Sequence, residues 1–205
     1  LHSFIFIFIL GSFMSNHYTR VAIVLHWLIG LSIIGLLILG LTMEDFPADY
    51  RKTAYMIHKS LGLSVLVLSL FRLIWRLTHP VPALPSDMKV WEKFAAHAVH
   101  AGLYFLMIAL PLTGWALVSS SPRGFPTIWF GLFEWPPLPV LSEIVNKKEV
   151  SHSFANIHEI LAWIAISLIL LHLGAALKHH FITRDGILVR MLPFLKPLSL
   201  TKKDM

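Results

Sequence analysis

The chain has no cysteine among its 205 residues. That excludes disulfide bridges, thiolate-held iron–sulfur clusters and covalent c-type haem, whose attachment needs a C-x-x-C-H stretch. Charge is scarce as well: 14% of residues are Asp, Glu, Lys or Arg, against 56% hydrophobic. A soluble domain of this length could not bury so much apolar surface, so a bilayer is the natural solvent. Acidic residues number 11 against 17 basic ones, for a formal net charge of +6. In so apolar a chain that excess reads as cytoplasmic loops rich in Lys and Arg, not as a nucleic-acid surface. There is no internal repeat, and no stretch polar enough for a soluble domain.

What is present is four apolar segments, at about 21–43, 56–77, 94–119 and 155–177. Each is near the roughly 20 residues a membrane-crossing helix needs. The expected fold is all-α: an integral membrane four-helix bundle. Polar, Pro-containing stretches separate the spans: EDFPADYRKTAY, THPVPALPSDMKVWEK and a long loop from Ser120 to about Phe154. The run TIWFGLFEWPPLP in that loop suits a lid at the membrane interface, where Trp is favoured. At the start, FIFIFILGSFM is too short to span and lacks a basic region before it. A translational start at Met14 is the preferred reading, with residues 1–13 an extension. The expected organisation is thus an N-terminal extension over 1–16, one transmembrane domain over 17–194 and a basic tail over 195–205. With the N-terminus inside, the inner side holds Arg20, Arg72, Arg76, Lys89, Lys93, Lys178, Arg184, Arg190, Lys196, Lys202 and Lys203. The outer side holds only Arg51, Lys52, Lys59, Arg123, Lys147 and Lys148. Both termini are therefore expected in the cytoplasm, with loop 120–154 outside.

Twelve histidines are the feature to explain. Ionisable residues inside a span are costly and count as functional hypotheses. On this topology His26 and His172 lie at the inner level, and His58 and His158 at the outer one. His158 and His172 are fourteen residues apart. Fourteen residues turn a helix by about 1400°, close to four full turns, and advance it about 21 Å. One helix can therefore offer an imidazole to each of two stacked sites, with the first and second spans supplying partners. Gly30, Gly62, Ala162 and Ala176 follow the four histidines by one turn and leave room for a flat macrocycle, though helix packing also enriches small residues. A bare Zn or Cu site wants three or four clustered ligands. Two histidines on opposing helices suit the axial positions of a haem iron, and without cysteine the haem is b-type.

Other polar residues carry two readings each. Arg72 stands fourteen residues after His58, on its face, so it either anchors a propionate at the inner level or snorkels to the surface. Arg76 is the same choice one turn on; Arg20, Arg51, Lys52 and Lys59 are weaker anchors. His179 continues the His172 face and either lines a pocket for a polar ring or meets headgroups. His97 and His100 share a face at i, i+3 and read either as interfacial caps or as further ligands: small Ala101 one turn after His97 leaves both readings open, while bulky Tyr104 after His100 favours the cap. His2, His17, His79 and His152 read as loop residues. Asn156, with Glu159, reads as a cap at the start of the fourth span.

The stretches RVAIVLHWLIG, MIHKSLG, Arg72 with Arg76, AAHAVHAGLYFLMIALPLTGW, NIHEILA and LLHLGAALKHHF together resemble the bacterial cytochrome b561 family over about residues 17–194. That family comprises four-helix, inner-membrane dihaem b cytochromes. The resemblance implies that His26 and His172 ligate an inner haem, and His58 and His158 an outer one. It implies electron exchange with ubiquinone near the inner haem, with His179 of the KHH motif hydrogen-bonding the quinone. A basic residue is expected to help there from the loop between the second and third spans. Here Asp87 stands near that place, with Lys89 two positions on.

The expected function is a membrane-bound dihaem electron carrier between the quinone pool and an outer-side redox partner. Some members of the family oxidise superoxide outside and pass the electron to ubiquinone, so superoxide:ubiquinone oxidoreduction is one form of that expectation. A positive outer patch from Arg51, Lys52, Lys59, Lys147 and Lys148 would steer such an anion. The rival is a haem b membrane-anchor subunit of a separate dehydrogenase or hydrogenase, docked through the long outer loop. A His-rich metal transporter fits poorly, since broken helices, repeats and midplane carboxylates are missing.

Overall fold

A computed structural model describes residues 18–124 and 126–195. The expected extension over 1–16, the Met14 start, His2, His17, and the tail beyond Leu195 lie outside the described residues.

The first helix, α1, runs Arg20–Thr42, and Thr19 caps it by accepting from the Ala22 N–H at 3.2 Å. After a short 3₁₀ turn at Met43–Asp45, α2 runs Ala48–Thr78. The third helix, α3, is Val90–Ser119. Two short strands follow, β1 at Thr127–Trp129 and β2 at Phe133–Trp135, then the single-turn α4 at Pro139–Ser142. The long α5 spans Lys147–Lys178. Helices α1, α2, α3 and α5 are each long and apolar enough to cross a membrane.

Three helices start earlier than hydropathy predicts. The α2 helix begins at Ala48 rather than about 56, α3 at Val90 rather than 94, and α5 at Lys147 rather than 155. Hydropathy sees only the apolar part of each. The added turns are polar and carry Asp49, Glu92 and Glu149 in their first turns, where a carboxylate meets the positive end of the helix dipole. Pro47 stays in the connecting loop and stands at the N-cap of α2, just before Ala48, where its missing N–H costs no helical bond. Two side-chain roles change as a result. His152 is helical, not in a loop, and Asn156 lies inside α5, where it bonds His152 (3.3 Å) and caps nothing.

Helix α5 packs along α3, α1 along α2, and α2 along α3. A small core of Leu25, Ile29 and Val65 joins the first two, with Ile33, Leu36, Leu68 and Met107 against it. The Gly102 position lets α3 and α5 approach: an added Cβ would come within 2.8 Å of Leu168 Cδ1. By contrast, Val24, Leu28, Leu31, Ile38, Leu170 and Leu171 are exposed, as lipid-facing side chains are.

The loop between α3 and α5 adds a small β-hairpin to this mostly helical fold. Strands β1 and β2 pair antiparallel, Thr127 opposite Trp135 and Trp129 opposite Phe133. The tip is Phe130–Gly131, with φ of 47° and 77°. Two positive φ values in succession make the primed turn that matches strand twist, and glycine takes the second without strain. Ser60 of α2, fully buried, holds the tip: its hydroxyl donates to Ile128 O (3.3 Å) and accepts from the Phe130 N–H (2.9 Å). The Trp129 indole donates to Ser64 Oγ (3.1 Å), and the Trp115 indole of α3 to Pro136 O (3.0 Å). The hairpin is thus stitched across α2 and α3. At the opposite end, residues after α5 fold back. The Trp27 indole donates to Met191 O (2.8 Å), and Arg190 to Ala83 O (2.6 Å).

Replacing Ser60 with Ala leaves the part-buried Phe130 N–H without its acceptor, at a cost of about 0.5–1.5 kcal/mol. Ser60→Ala is expected to melt at lower temperature in detergent and to be cut faster by chymotrypsin between Phe130 and Phe133, with helix content unchanged. Cleavage at the wild-type rate would show that Ser60 does not hold the hairpin.

Candidate cofactor sites between facing helices

The four histidines singled out by depth come together as two pairs. His26 of α1 faces His172 of α5 with ring centres 6.1 Å apart and planes at 65°. His58 of α2 faces His158 of α5 at 6.2 Å and 72°. Both pairs lie across α5 from α1 and α2, the helices with which α5 does not pack extensively. The imidazoles therefore bridge a gap between two packed halves.

The fourteen-residue spacing recurs on every membrane helix. His26 is followed by Gly40 on α1, His58 by Arg72 on α2, His100 by Gly114 on α3, and His158 by His172 on α5. Because α1 and α3 run opposite to α2 and α5, each level gathers one residue from each helix. The outer level holds His58 and His158 with Gly40 and Gly114. A Cβ added at Gly40 would sit 3.2 Å from His58 Cε1, and one at Gly114 3.2 Å from His158 Cε1. Hydrogen in place of methyl is what lets these rings lie where they do. At Gly30 and Gly62, one turn from His26 and His58, an added Cβ meets nothing within 4 Å. That space is open, as the small-residue pattern predicts.

The inner level is polar on all four helices. Arg72 donates through Nη1 to Ala22 O (2.9 Å), and its Nη2 lies 3.4 Å from His26 Nδ1. His100 brings its ring edge-on to His172 at 5.2 Å. This overturns its reading as an interfacial cap. Tyr104 does not fill the space beside it, because its ring lies under the guanidinium groups of Arg72 and Arg76, each 5.8 Å from the ring centre. His100 donates Nδ1–H to Ala96 O at 2.6 Å. His79 is likewise not a simple loop residue: it stacks on Trp75 at 3.8 Å and bonds the Trp75 carbonyl. Tyr18, Thr19, Arg72, Trp75, Arg76 and Tyr104 line a cavity of about 20 Å³ here.

Hydrogen bonding settles one tautomer. His158 Nδ1 lies 3.0 Å from Leu110 O, with Thr113 Oγ1 also at 3.0 Å. A carbonyl only accepts, so Nδ1 carries the proton and Nε2 keeps its lone pair. His58 Nδ1 is buried and lacks a hydrogen-bond partner among the described residues. No three His, Cys, Asp or Glu side chains among the described residues group as a bare metal site.

Below the inner level α5 gives way to a wider turn at His179–Thr183. His179 is buried and bonds Asp185 Oδ2 through Nδ1 at 2.5 Å. Lys178 pairs with Glu92 of α3. On the outer side, two of the five cations of the expected patch are engaged by carbonyls, Arg51 by Phe46 O (3.0 Å) and Lys59 by Pro126 O (3.4 Å).

The sequence model of the family described as prokaryotic cytochrome b561 matches residues 17–194. The chain belongs to the prokaryotic cytochrome b561 family. It is therefore a haem b-binding, electron-transferring protein of the bacterial inner membrane that crosses the bilayer several times. It is 31% identical over 180 residues to cytochrome b561 homolog 2 of Escherichia coli, covering 86% of this chain and 92% of that one. It is 33% identical over 184 residues to a Yersinia pestis protein named probable superoxide oxidase CybB, covering 88% and 98%. Cytochrome b562 of Cereibacter sphaeroides is 29% identical over 184 residues, covering 85% and 94%. The glycines facing the outer pair, Gly40 and Gly114, and the inner His100 escaped the reading by single helices. The fourteen-residue offset from a histidine on the same helix was the signal that marked them.

Gly40→Val and Gly114→Val push branched side chains toward His58 and His158. Both are expected to lower haem b per chain, read from the reduced pyridine spectrum, while Gly124→Ala outside the bundle leaves it unchanged. Full haem content in both variants would mean that the close approach of glycine to these rings does not matter for loading.

Proposed function

We propose that the chain is a dihaem electron carrier, with His26 and His172 as axial ligands at the inner level and His58 and His158 at the outer. The observation that carries this is the ring spacing. A metal-bound imidazole nitrogen lies about 2 Å from the metal and about 1 Å from its own ring centre, so two rings on one iron are about 6 Å apart. Both pairs have that separation, 6.1 and 6.2 Å. The donor set fits as well: paired imidazoles, with no group of three His, Cys, Asp or Glu side chains among the described residues, leave an equatorial plane for a porphyrin.

Haem supplies reversible one-electron chemistry; the side chains supply position and electrostatics. Leu110 O and Thr113 hold His158 with Nε2 free to ligate, and a ring N–H bonded to a carbonyl makes the imidazole a stronger donor. At His26, ligation through Nε2 puts the ring proton on Nδ1, to which Arg72 cannot donate. The Arg72 guanidinium then serves a haem propionate, with Tyr104 beneath it. Gly40 and Gly114 keep the outer level close-packed, while Arg72 and His100 keep the inner level polar.

This asymmetry supports exchange with ubiquinone at the inner side, where His179 bonds the quinone, and with a redox partner at the outer side. The Lys and Arg bias supports an orientation with both termini in the cytoplasm. A domain over 17–194 carries the whole device. The relative named as a probable superoxide oxidase supports superoxide as the outer donor, with ubiquinone as acceptor. The anionic donor would find Lys52, Lys147 and Lys148 at that face, two of which open α5.

Purified protein should show a reduced b-type spectrum with two haems per chain. His26→Ala and His58→Ala should each retain one, with different midpoint potentials, and Arg72→Gln should shift the potential of the haem that His58→Ala retains. One haem in the unaltered protein, or two in either His variant, would refute the ligand assignment. Stopped-flow mixing with superoxide should reduce the haem iron, and added ubiquinone should reoxidise it; no reduction would remove superoxide as donor.

A further inference from the structure

Asp185 has no role in the account so far, yet it makes the shortest contact to His179. The turn after α5 brings it there. Arg184 takes φ of 57°, a left-handed conformation uncommon outside glycine, and the chain reverses so that the Asp185 N–H points at His179 O (3.4 Å). The carboxylate is then divided. Oδ1 accepts from the Ile187 N–H (3.1 Å), and Oδ2 accepts from His179 Nδ1 (2.5 Å). Both side chains are about nine-tenths buried. No hydrogen bond among the described residues takes His179 Nε2. An ionised carboxylate only accepts, so the proton sits on Nδ1 and Nε2 presents a lone pair. The backbone strain, the doubly held carboxylate and the burial all serve one ring orientation and one tautomer.

We infer that Asp185 is a positioning residue that makes His179 a proton acceptor for a quinol hydroxyl, a role that rests on the reading of His179 as the quinone partner. In each of the two oxidation steps His179 Nε2 would take one hydroxyl proton, while a haem held at the inner level would supply the one-electron acceptor. The imidazolium so formed faces the Asp185 carboxylate, which stabilises it without taking the proton. The proton then leaves to water and the electron would pass outward to the outer-side redox partner, which frees the inner site for the second step, so two electrons and two protons depart per quinol. Quinone reduction is the reverse, with Nε2–H as donor. The charged neighbours of this turn are the Lys178–Glu92 pair, which is already internally neutralised, and Arg184.

Asp185→Asn separates orientation from chemistry. Its carbonyl can still accept from Ile187 N–H, but its NH₂ then meets His179 Nδ1, which forces the proton to Nε2. With the haem-loaded full chain and a short-chain ubiquinol as probe, kcat for quinol-driven haem reduction should fall at least about tenfold, the order expected of lost general-base help. KM should change little, and haem content and dithionite reduction should be unaltered. Asp185→Glu should recover part of the rate. The double variant Asp185→Asn/His179→Gln should be no slower than His179→Gln alone, because the two act as a unit. A slow His179→Gln with a wild-type Asp185→Asn would overturn the role of Asp185 and leave the quinone reading of His179 intact. Wild-type rates in both would overturn the two together. If Asp185→Asn folds poorly, ¹⁵N NMR of the unaltered protein decides, with His179 assigned through His179→Gln: protonated Nδ1 and bare Nε2 are expected, and the opposite tautomer overturns the inference.

Discussion

Everything in this fold answers to one constraint: imidazole nitrogens must be held at two depths in a medium with no water to satisfy them. An unpaired polar nitrogen in hydrocarbon costs several kcal/mol, so each ring must find a partner inside the bundle. His158 meets it through Leu110 O and His26 lies against Arg72, whereas His58 Nδ1 has no partner among the described residues; the His26–His172 and His58–His158 rings face each other between helices that do not pack extensively. Fourteen residues of helix, almost four whole turns, make the solution repeatable on each strand of the bundle. The same offset that stacks His158 over His172 puts Gly40 over His26 and Gly114 over His100, and so distributes ring and space together.

The two levels differ because of what fills the other positions. Glycine at Gly40 and Gly114 adds no side chain beside the outer rings, whose polar neighbours are Leu110 O and Thr113 Oγ1 at His158. Arg72 and His100 make the inner level cationic and hydrogen-bonding, with Tyr104 turned to the guanidinium groups. The bundle ends follow this division. The outer end is closed by a hairpin whose backbone is satisfied by Ser60 and whose tryptophans bond Ser64 and Pro136. The inner end carries the His179–Asp185 turn and a chain that returns to Trp27 and Ala83. One level thus carries glycine beside its rings and the other carries Arg72 and His100.

Much of this was legible along the chain. A 56% hydrophobic composition with 14% charge determines a membrane protein, because no aqueous core can hold that surface. The spans follow from hydropathy, and the pairing of histidines by depth and the histidine face of α5 from helix rise and twist. The polar first turns of α2, α3 and α5 were missed because hydropathy measures the bilayer, not the helix, and dipole-compensated turns continue past it. The β-hairpin was missed because its stability comes from Ser60 and Ser64 on another element, sixty-odd residues away.

What only the tertiary structure decided is side-chain partnership between helices. His100 read as a cap because Tyr104 was bulky; Tyr104 instead turned to two guanidinium groups, a choice made by α2, not α3. The tautomer of His158 is set by Leu110 and Thr113 across a helix boundary. Asp185 reaches His179 only because Arg184 adopts a left-handed conformation that no local pattern announces. By itself the sequence determined where each imidazole stands along its own helix, since rise and angle per residue are properties of one chain segment. Which atom each imidazole faces depends on distances between segments, and those exist only once the bundle has closed.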